Sequence, residues 1–97
     1  MNTRKKFSTL VDLLRCRALH QPNRTAFTFL KDGKTEAANL TYQELNQQAQ
    51  AIAHQLQNLV SRGERVLLLY PPGLEFISAF FGCLYANVVA VPAALLN

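Results

Sequence analysis

The first apolar pattern along this chain is helical. Around residues 8–20, apolar side chains recur every three or four positions, as they do on one face of an amphipathic helix. Thr9 followed by Asp12 suits the start of this helix, and Gln21-Pro22 suits its end. The predicted inner face consists of Leu10, Val11, Leu14 and Ala18, with Leu13 beside them.

An alternating pattern follows, and it predicts a β-hairpin. Polar and apolar residues alternate over residues 25–30, which is typical of a half-buried strand. Asp32-Gly33 is a signal for a tight turn. The return strand, residues 35–40, is weaker in sequence because its alanine and asparagine residues are poor strand formers.

The second helix carries the clearest local signals. Thr41-Tyr42-Gln43-Glu44 has the form of a capping box, in which the Thr41 hydroxyl accepts from the Glu44 amide and the Glu44 carboxylate reaches back. Leu40 and Leu45 occupy the positions of a hydrophobic staple, and Gly63 is the predicted C-cap. The predicted buried stripe is Leu45, Ala49, Ile52, Ala53, Leu56 and Val60.

The last third of the chain predicts a strand, a helix and a second strand. Residues 66–70 form a continuous apolar run, typical of a strand covered on both faces. Pro71-Pro72-Gly73 interrupts the run, residues 74–86 suit a helix, and residues 88–91 are rich in valine and end at Pro92. The predicted fold class is therefore α/β, in the order α-β-β-α-β-α-β, with a right-handed parallel βαβ unit at the C-terminal end.

Composition and charge narrow the possible partners. The chain has 97 residues, enough for one small domain, and a formal net charge of +4. Its one basic cluster, Arg4-Lys5-Lys6, falls in residues 1–6, which we expect to be a disordered terminus. A nucleic-acid surface needs basic residues gathered on one face, so no nucleic-acid partner is predicted.

A membrane anchor is an alternative interpretation of the C-terminal region. Residues 76–96 carry no charge, and their number passes the length test for a spanning helix. Asn87 and Pro92 interrupt this run, and residues 88–91 have strand character, so a buried α/β sheet is favoured. Charged residues after the basic cluster break any signal-peptide core, so the cytoplasm is the expected location.

Few residues offer catalytic chemistry. Cys16 and Cys83 lack the spacing of a metal site or a disulfide framework, and both are expected to be buried, unreactive thiols. His20 and His54 have no accompanying nucleophile pattern, and His54 is expected on a helix surface. Tyr70-Pro71-Pro72-Gly73 follows a predicted parallel strand, where α/β folds place ligand sites. It lacks phosphate-binding glycines, so a rigid turn is the favoured interpretation.

Several segments, taken in order, resemble one known family. Leu40-Thr41-Tyr42-Gln43-Glu44-Leu45 is similar to the first core motif of adenylate-forming enzymes, and residues 82–92 are similar to the second. Tyr70-Pro71-Pro72-Gly73 resembles a segment common in fatty-acyl-AMP ligases, where other acyl-CoA synthetases usually have a polar sequence. The resemblance covers about residues 7–93, and it implies that residues 1–97 are a partial N-terminal subdomain of an adenylation domain.

The resemblance implies a definite chemistry for the intact enzyme. Such an enzyme would use ATP and magnesium to convert a fatty acid into an acyl-adenylate, releasing pyrophosphate. It would then transfer the acyl group to an acyl carrier protein, often at the start of a polyketide or lipopeptide assembly line. This chemistry requires a loop that cradles phosphates, a carboxylate for the ribose and a lysine for adenylation.

This chain matches none of those catalytic motifs. Its four glycines are scattered, and its four lysines lie outside the family's catalytic contexts. We therefore predict no catalytic, cofactor-binding or metal-binding residue in it, and no activity from it alone. The glycines are Gly33, Gly63, Gly73 and Gly82, and the lysines are Lys5, Lys6, Lys31 and Lys34.

Two departures from the family pattern stand near the end of the chain. Asn87 occupies a position where the family usually has glycine, and asparagine tolerates a left-handed backbone better than most residues. Ala94-Leu95-Leu96-Asn97 replaces the usual continuation toward Tyr-Pro-Pro, which indicates either a natural truncation or a chosen boundary. The expected partner is the remainder of the adenylation domain or a second copy of the chain. A stand-alone self-associating module and a small C-terminally membrane-anchored protein remain the alternative functions.

Overall fold

The structure is a computed structural model that describes residues 9–93. Its elements follow the predicted order, which confirms the α/β class. The helices are α1 (Leu10–His20), α2 (Tyr42–Leu59) and α3 (Leu74–Tyr85). The strands are β1 (Thr25–Lys31), β2 (Thr35–Thr41), β3 (Arg65–Leu68) and β4 (Val89–Pro92). The expectation for the basic terminus, residues 1–6, lies outside the described residues.

The caps predicted for the first two helices are both present. The Thr41 hydroxyl accepts from the Glu44 amide at 3.1 Å, and a Glu44 carboxylate oxygen accepts from the Thr41 amide at 2.9 Å. This reciprocal pair is a complete capping box. At the start of α1, the Thr9 hydroxyl accepts from the Asp12 amide at 3.0 Å. Side-chain oxygens thus satisfy amides that have no partner within the helix.

Removing the Thr41 hydroxyl is expected to destabilise the chain. Thr41→Ala leaves the Glu44 amide without its acceptor, and we expect a loss of about 1 kcal/mol in the free energy of unfolding. Urea denaturation followed by circular dichroism measures this loss. Thr41→Ser should retain most of the stability, and Thr35→Ala on an exposed strand position is the control. Equal stability of Thr41→Ala and the parent chain would contradict the role of the cap.

The end of α2 differs from the prediction. The helix ends at Leu59, and the C-cap is Val60, whose amide donates to the Leu56 carbonyl. Val60 is extended, with φ −135° and ψ 158°, and its side chain packs against the core. Gly63, the predicted cap, instead lies in the following turn with φ 86°, and its amide donates to the Asn87 carbonyl at 2.8 Å. The helix ends before the glycine because Val60, a β-branched residue, is partly buried in an extended conformation.

The strands form two separate pairs within residues 9–93. β1 and β2 are antiparallel around the predicted Asp32-Gly33 turn, with two irregularities in their register. The return strand is the weaker element in sequence, and it pairs with β1 from Thr35 to Thr41 except at Ala37. β3 and β4 are parallel, with Arg65 opposite Val89 and Leu68 opposite Pro92. Helix α3 connects them, so the predicted βαβ unit is confirmed; its right-handedness stays a prediction.

Helix α3 contacts every other element of the described chain. Its closest approach is to α2, at Gly82. A Cβ atom at this glycine would lie 2.5 Å from Cγ2 of Ile52 and 3.4 Å from the Ala49 carbonyl oxygen. The absence of a side chain at Gly82 therefore allows the two helices to pack closely. Around this crossing lie Leu45 and Cys83, the largest fully buried side chains.

The predicted cover over both faces of β3 is not found within residues 9–93. Leu68 is buried on the side of the sheet that faces α3. On the other side, Leu67 and Leu69 are 58% and 59% exposed, and Val89 of β4 is 48% exposed. We call these three residues the open face. Its apolar side chains are typical of a surface that another layer of the fold covers, and no described element supplies that layer.

The region after α3 confirms the strand interpretation over the membrane helix. Tyr85 ends α3, and Asn87 adopts a left-handed conformation with φ 60°, as its side chain allows. β4 then begins at Val89. None of the described helices combines the length and the apolar character that crossing a bilayer requires.

Candidate functional site

The loop after β3 was the strongest sequence candidate for a site. The strand ends at Leu68, and the loop continues to Gly73, which is the N-cap residue of α3. Gly73 has φ 153°, a conformation that L side chains rarely adopt, and it makes no side-chain cap. A Cβ atom here would lie 3.8 Å from Cε1 of Phe29, so the β1–β2 hairpin packs beside the loop.

Two open clefts lie on either side of this loop. One, of about 310 Å³, lies between the loop and the hairpin and is lined mainly by apolar and proline residues, including Phe29, Pro71 and Leu74. The other, of about 350 Å³, lies above α2 and includes Gln48, Gln55, Tyr70 and Ser78. Glu75 lines both clefts and supplies their one ionisable carboxylate.

Two polar side chains of the second cleft join neighbouring helices. Ser78 is buried, and its hydroxyl donates to the Gln48 Oε1 at 2.6 Å. This bond joins α3 to α2 at one end of their contact. A buried hydroxyl that already donates to an amide oxygen is satisfied, and no histidine lines the cleft to act as its base. The arrangement therefore offers hydrogen bonding but no activated nucleophile.

A cluster that sequence reasoning missed joins all three helices. The guanidinium of Arg15 lies 5.0 Å from the centre of the Tyr85 ring, and the Tyr85 hydroxyl donates to Asn46 Oδ1 at 2.6 Å. Burial raises the pKa of Tyr85, while the charge of Arg15 opposes this rise. The three residues lie far apart in sequence, and none belongs to a periodic pattern that could have grouped them. Their role is to fix α1 and α2 against α3.

The cysteines and histidines belong to no metal-binding group within residues 9–93. Cys83 is buried as predicted, and burial raises the pKa of its thiol, which disfavours the reactive thiolate. Cys16 is half-buried, so the prediction of full burial was wrong for this residue. Cys16 lies beside the inner face of α1 rather than on it, which accounts for this exposure. His20 and His54 are both exposed, and the latter lies on the surface of α2 as expected.

The described residues do not suit the groups that adenylation requires. No three His, Cys, Asp or Glu side chains within residues 9–93 come together as metal ligands would. The glycines lie in separate places: one in the hairpin turn, one before β3, one before α3 and one within α3. They therefore do not form a phosphate-cradling loop. ATP and magnesium stay expectations for a longer protein.

Comparison with known proteins is consistent across sequence and structure. The family model for AMP-binding enzymes matches residues 14–96. The chain is 56% identical over 91 residues to the medium-chain-fatty-acid–[acyl-carrier-protein] ligase JamA of Moorena producens (strain JHB), covering 94% of this chain and 15% of that protein. It is 41% identical over 90 residues to a 4-hydroxyphenylalkanoate adenylyltransferase of Mycobacterium marinum, covering 88% of this chain and 14% of that one.

Comparison of the fold with solved structures points to the same kind of enzyme. The crystal structure of fatty acyl-adenylate ligase from L. pneumophila, in complex with acyl adenylate and pyrophosphate, matches with a TM-score of 0.85 at 46% identity. The match covers 97% of this chain and 16% of that one. The chain thus spans about one seventh of the length of these relatives and resembles their N-terminal subdomain. It belongs to the AMP-binding enzyme family.

Proposed function

We propose that this chain is the N-terminal part of a fatty-acyl-AMP ligase and that its role there is structural. The observation that carries the proposal is its high identity, over nearly all its length, to a ligase that acts on fatty acids and acyl carrier protein. The site supports this role, because its side-chain hydrogen bonds join α3 to α2 and it offers no activated nucleophile. Residues 1–97 are then a partial N-terminal subdomain, with its catalytic and cofactor-binding residues elsewhere in the enzyme.

The intact enzyme would activate a fatty acid with ATP and magnesium, and would pass the acyl group to a carrier protein in the cytoplasm. In this arrangement the remainder of the adenylation domain covers the open face formed by Leu67, Leu69 and Val89. Parallel sheets are normally covered on both faces, which favours such a layer. The Tyr70-Pro71-Pro72-Gly73 loop then acts as a rigid connection between β3 and α3.

The proposal predicts that the 97-residue chain is inactive alone and functional when joined to the rest of such an enzyme. ATP–pyrophosphate exchange with a medium-chain fatty acid should stay at background with the purified chain. A chimera that carries this chain in place of the aligned segment of the Moorena producens ligase should retain exchange within roughly tenfold of the parent, because a 56%-identical segment preserves the core packing.

Two outcomes would contradict this proposal. One is fatty-acid-dependent exchange from the purified chain alone. The other is a folded chimera without exchange, when the parent ligase is active in the same assay. A chimera with Gly82→Val is the negative control, because a side chain at this position collides with Ile52 and should disrupt the subdomain.

A second candidate, a self-associating module, is favoured by one observation. The open face is apolar, and within residues 9–93 β3 and β4 pair with each other and with no further strand. An exposed apolar face and unpaired strand edges both favour association with another chain. Self-association is compatible with the first proposal, since the same surface would be covered by the remainder of the domain in a longer protein.

A further inference from the structure

An apolar pit, half open to solvent, lies beneath α1, away from the loop after β3. It has a volume of about 170 Å³. Its floor is formed by Leu14 and Leu45, which are 3% and 1% exposed. Leu10 and Phe27, both exposed, line its rim. The half-buried residues Leu13, Ala26, Tyr42 and Phe81 complete its lining.

The lining determines what this pit can hold. None of its eight residues is charged, and the Tyr42 hydroxyl is the one polar side-chain group among them. An ordered water needs two to four polar partners, so water is poorly held here. A carboxylate or phosphate would lose its hydration without gaining a cation. The pit therefore suits an uncharged apolar molecule.

The volume limits the size of that molecule. Drug-sized ligands occupy pockets of roughly 300–1,000 Å³, well above this pit. In another protein an engineered apolar cavity of about 150 Å³ binds benzene, so a volume of this size is sufficient for one such ring. We propose that the pit beneath α1 is a binding site for a single benzene-sized apolar molecule. The pit shares no lining residue with the clefts beside the loop after β3.

The pit also has an entrance that a ligand can use. Leu10 lies in the first turn of α1 and is 54% exposed, and Phe27 lies on strand β1 and is 39% exposed. Rotation of these two side chains widens the entrance without disturbing the buried floor. Because such a small ligand makes few contacts, its dissociation constant should be on the order of 1 mM.

The test is a titration of the full 97-residue chain with benzene, followed by methyl resonances in NMR spectra. Binding in the pit should shift the Leu13, Leu14 and Leu45 methyl signals in a saturable manner. The methyl signals of Leu67 and Leu69 report the open face, which is the competing apolar surface. They should move little and without saturation.

Two strand variants form the matched pair for this test. Ala26→Ile places extra carbon atoms in the pit and should weaken binding at least tenfold, whereas Ala37→Ile, on an exposed strand position outside the pit, should leave binding unchanged. If Ala26→Ile does not fold, Leu13→Ala serves instead. It enlarges the pit and should allow a larger molecule, toluene, to bind at least as tightly as benzene.

Three results would overturn the proposal. The first is a folded chain whose Leu13, Leu14 and Leu45 signals do not move at saturating benzene. The second is binding of equal strength in the parent, Ala26→Ile and Leu13→Ala chains, since that places the ligand elsewhere. The third is binding that appears only after deletion of residues 1–8, since this would show that the terminus of the intact chain occupies the pit. None of these results depends on ATP–pyrophosphate exchange.

Discussion

Gly82→Val should strongly destabilise this chain. A Cβ atom alone would lie 2.5 Å from Cγ2 and 2.7 Å from Cβ of Ile52, and valine adds two further methyl groups. The Cβ atom of Ile52, at 2.7 Å, is bonded directly to the α2 backbone, so the helices must separate to accommodate the new side chain. Overpacking of this kind costs about 1–3 kcal/mol for a single added group and more for a larger one.

The expected loss is about 3 kcal/mol or more, against a total stability of roughly 5–15 kcal/mol for typical domains and less for small ones. Gly82→Ala should show an intermediate loss, even though alanine favours a helix over glycine by about 1 kcal/mol. Ala51→Val, on an exposed position of α2, controls for the helix propensity of valine. Urea denaturation measures all three. A Gly82→Val chain as stable as Ala51→Val would show that the helices do not cross this closely.

The second large effect concerns association. The parent chain should increase in mean mass with concentration, because the open face and the unpaired edges of β3 and β4 can be buried against another copy. Leu67→Lys combined with Leu69→Lys should hold the chain at the monomer mass, because burying two lysines without partners is unfavourable. Light scattering across a concentration series measures both.

Exposed leucines elsewhere provide the matched control for this experiment. Leu19 and Leu59 are 75% and 78% exposed and lie on helices, so their double change to lysine adds the same charge away from the sheet. This control should associate like the parent chain. A parent chain that stays monomeric at high micromolar concentration would contradict the prediction. So would equal suppression by both double variants, since net charge rather than the open face would then govern association.

Local signals in the sequence were sufficient for most of the fold. Thr41 and Glu44 lie three positions apart, and their reciprocal cap depends on little beyond that spacing. Asp32 and Gly33 both adopt positive φ, as the hairpin turn requires. The end of α2 was harder to predict, because Val60 leaves the helix in response to core packing rather than to its own preference as a cap.

Features that depend on distant residues were not predictable from the chain. The Arg15, Tyr85 and Asn46 cluster forms only after three helices have packed, and nothing in the local sequence marks any of its members. The pit beneath α1 is likewise a gap between four elements, and a gap has no sequence signature. The open face was visible as an apolar run, but the absence of a described element over it is a property of the assembled fold.

The central position of α3 also sets the order in which this chain can fold. The hairpin and the capped helix α2 depend largely on contacts between nearby residues, so they can form early. β3 and β4 can pair only after the whole of α3 has been looped between them, which costs chain entropy before any ladder forms. During synthesis, the apolar stripe of α2 must therefore remain without its main cover until α3 has emerged from the ribosome.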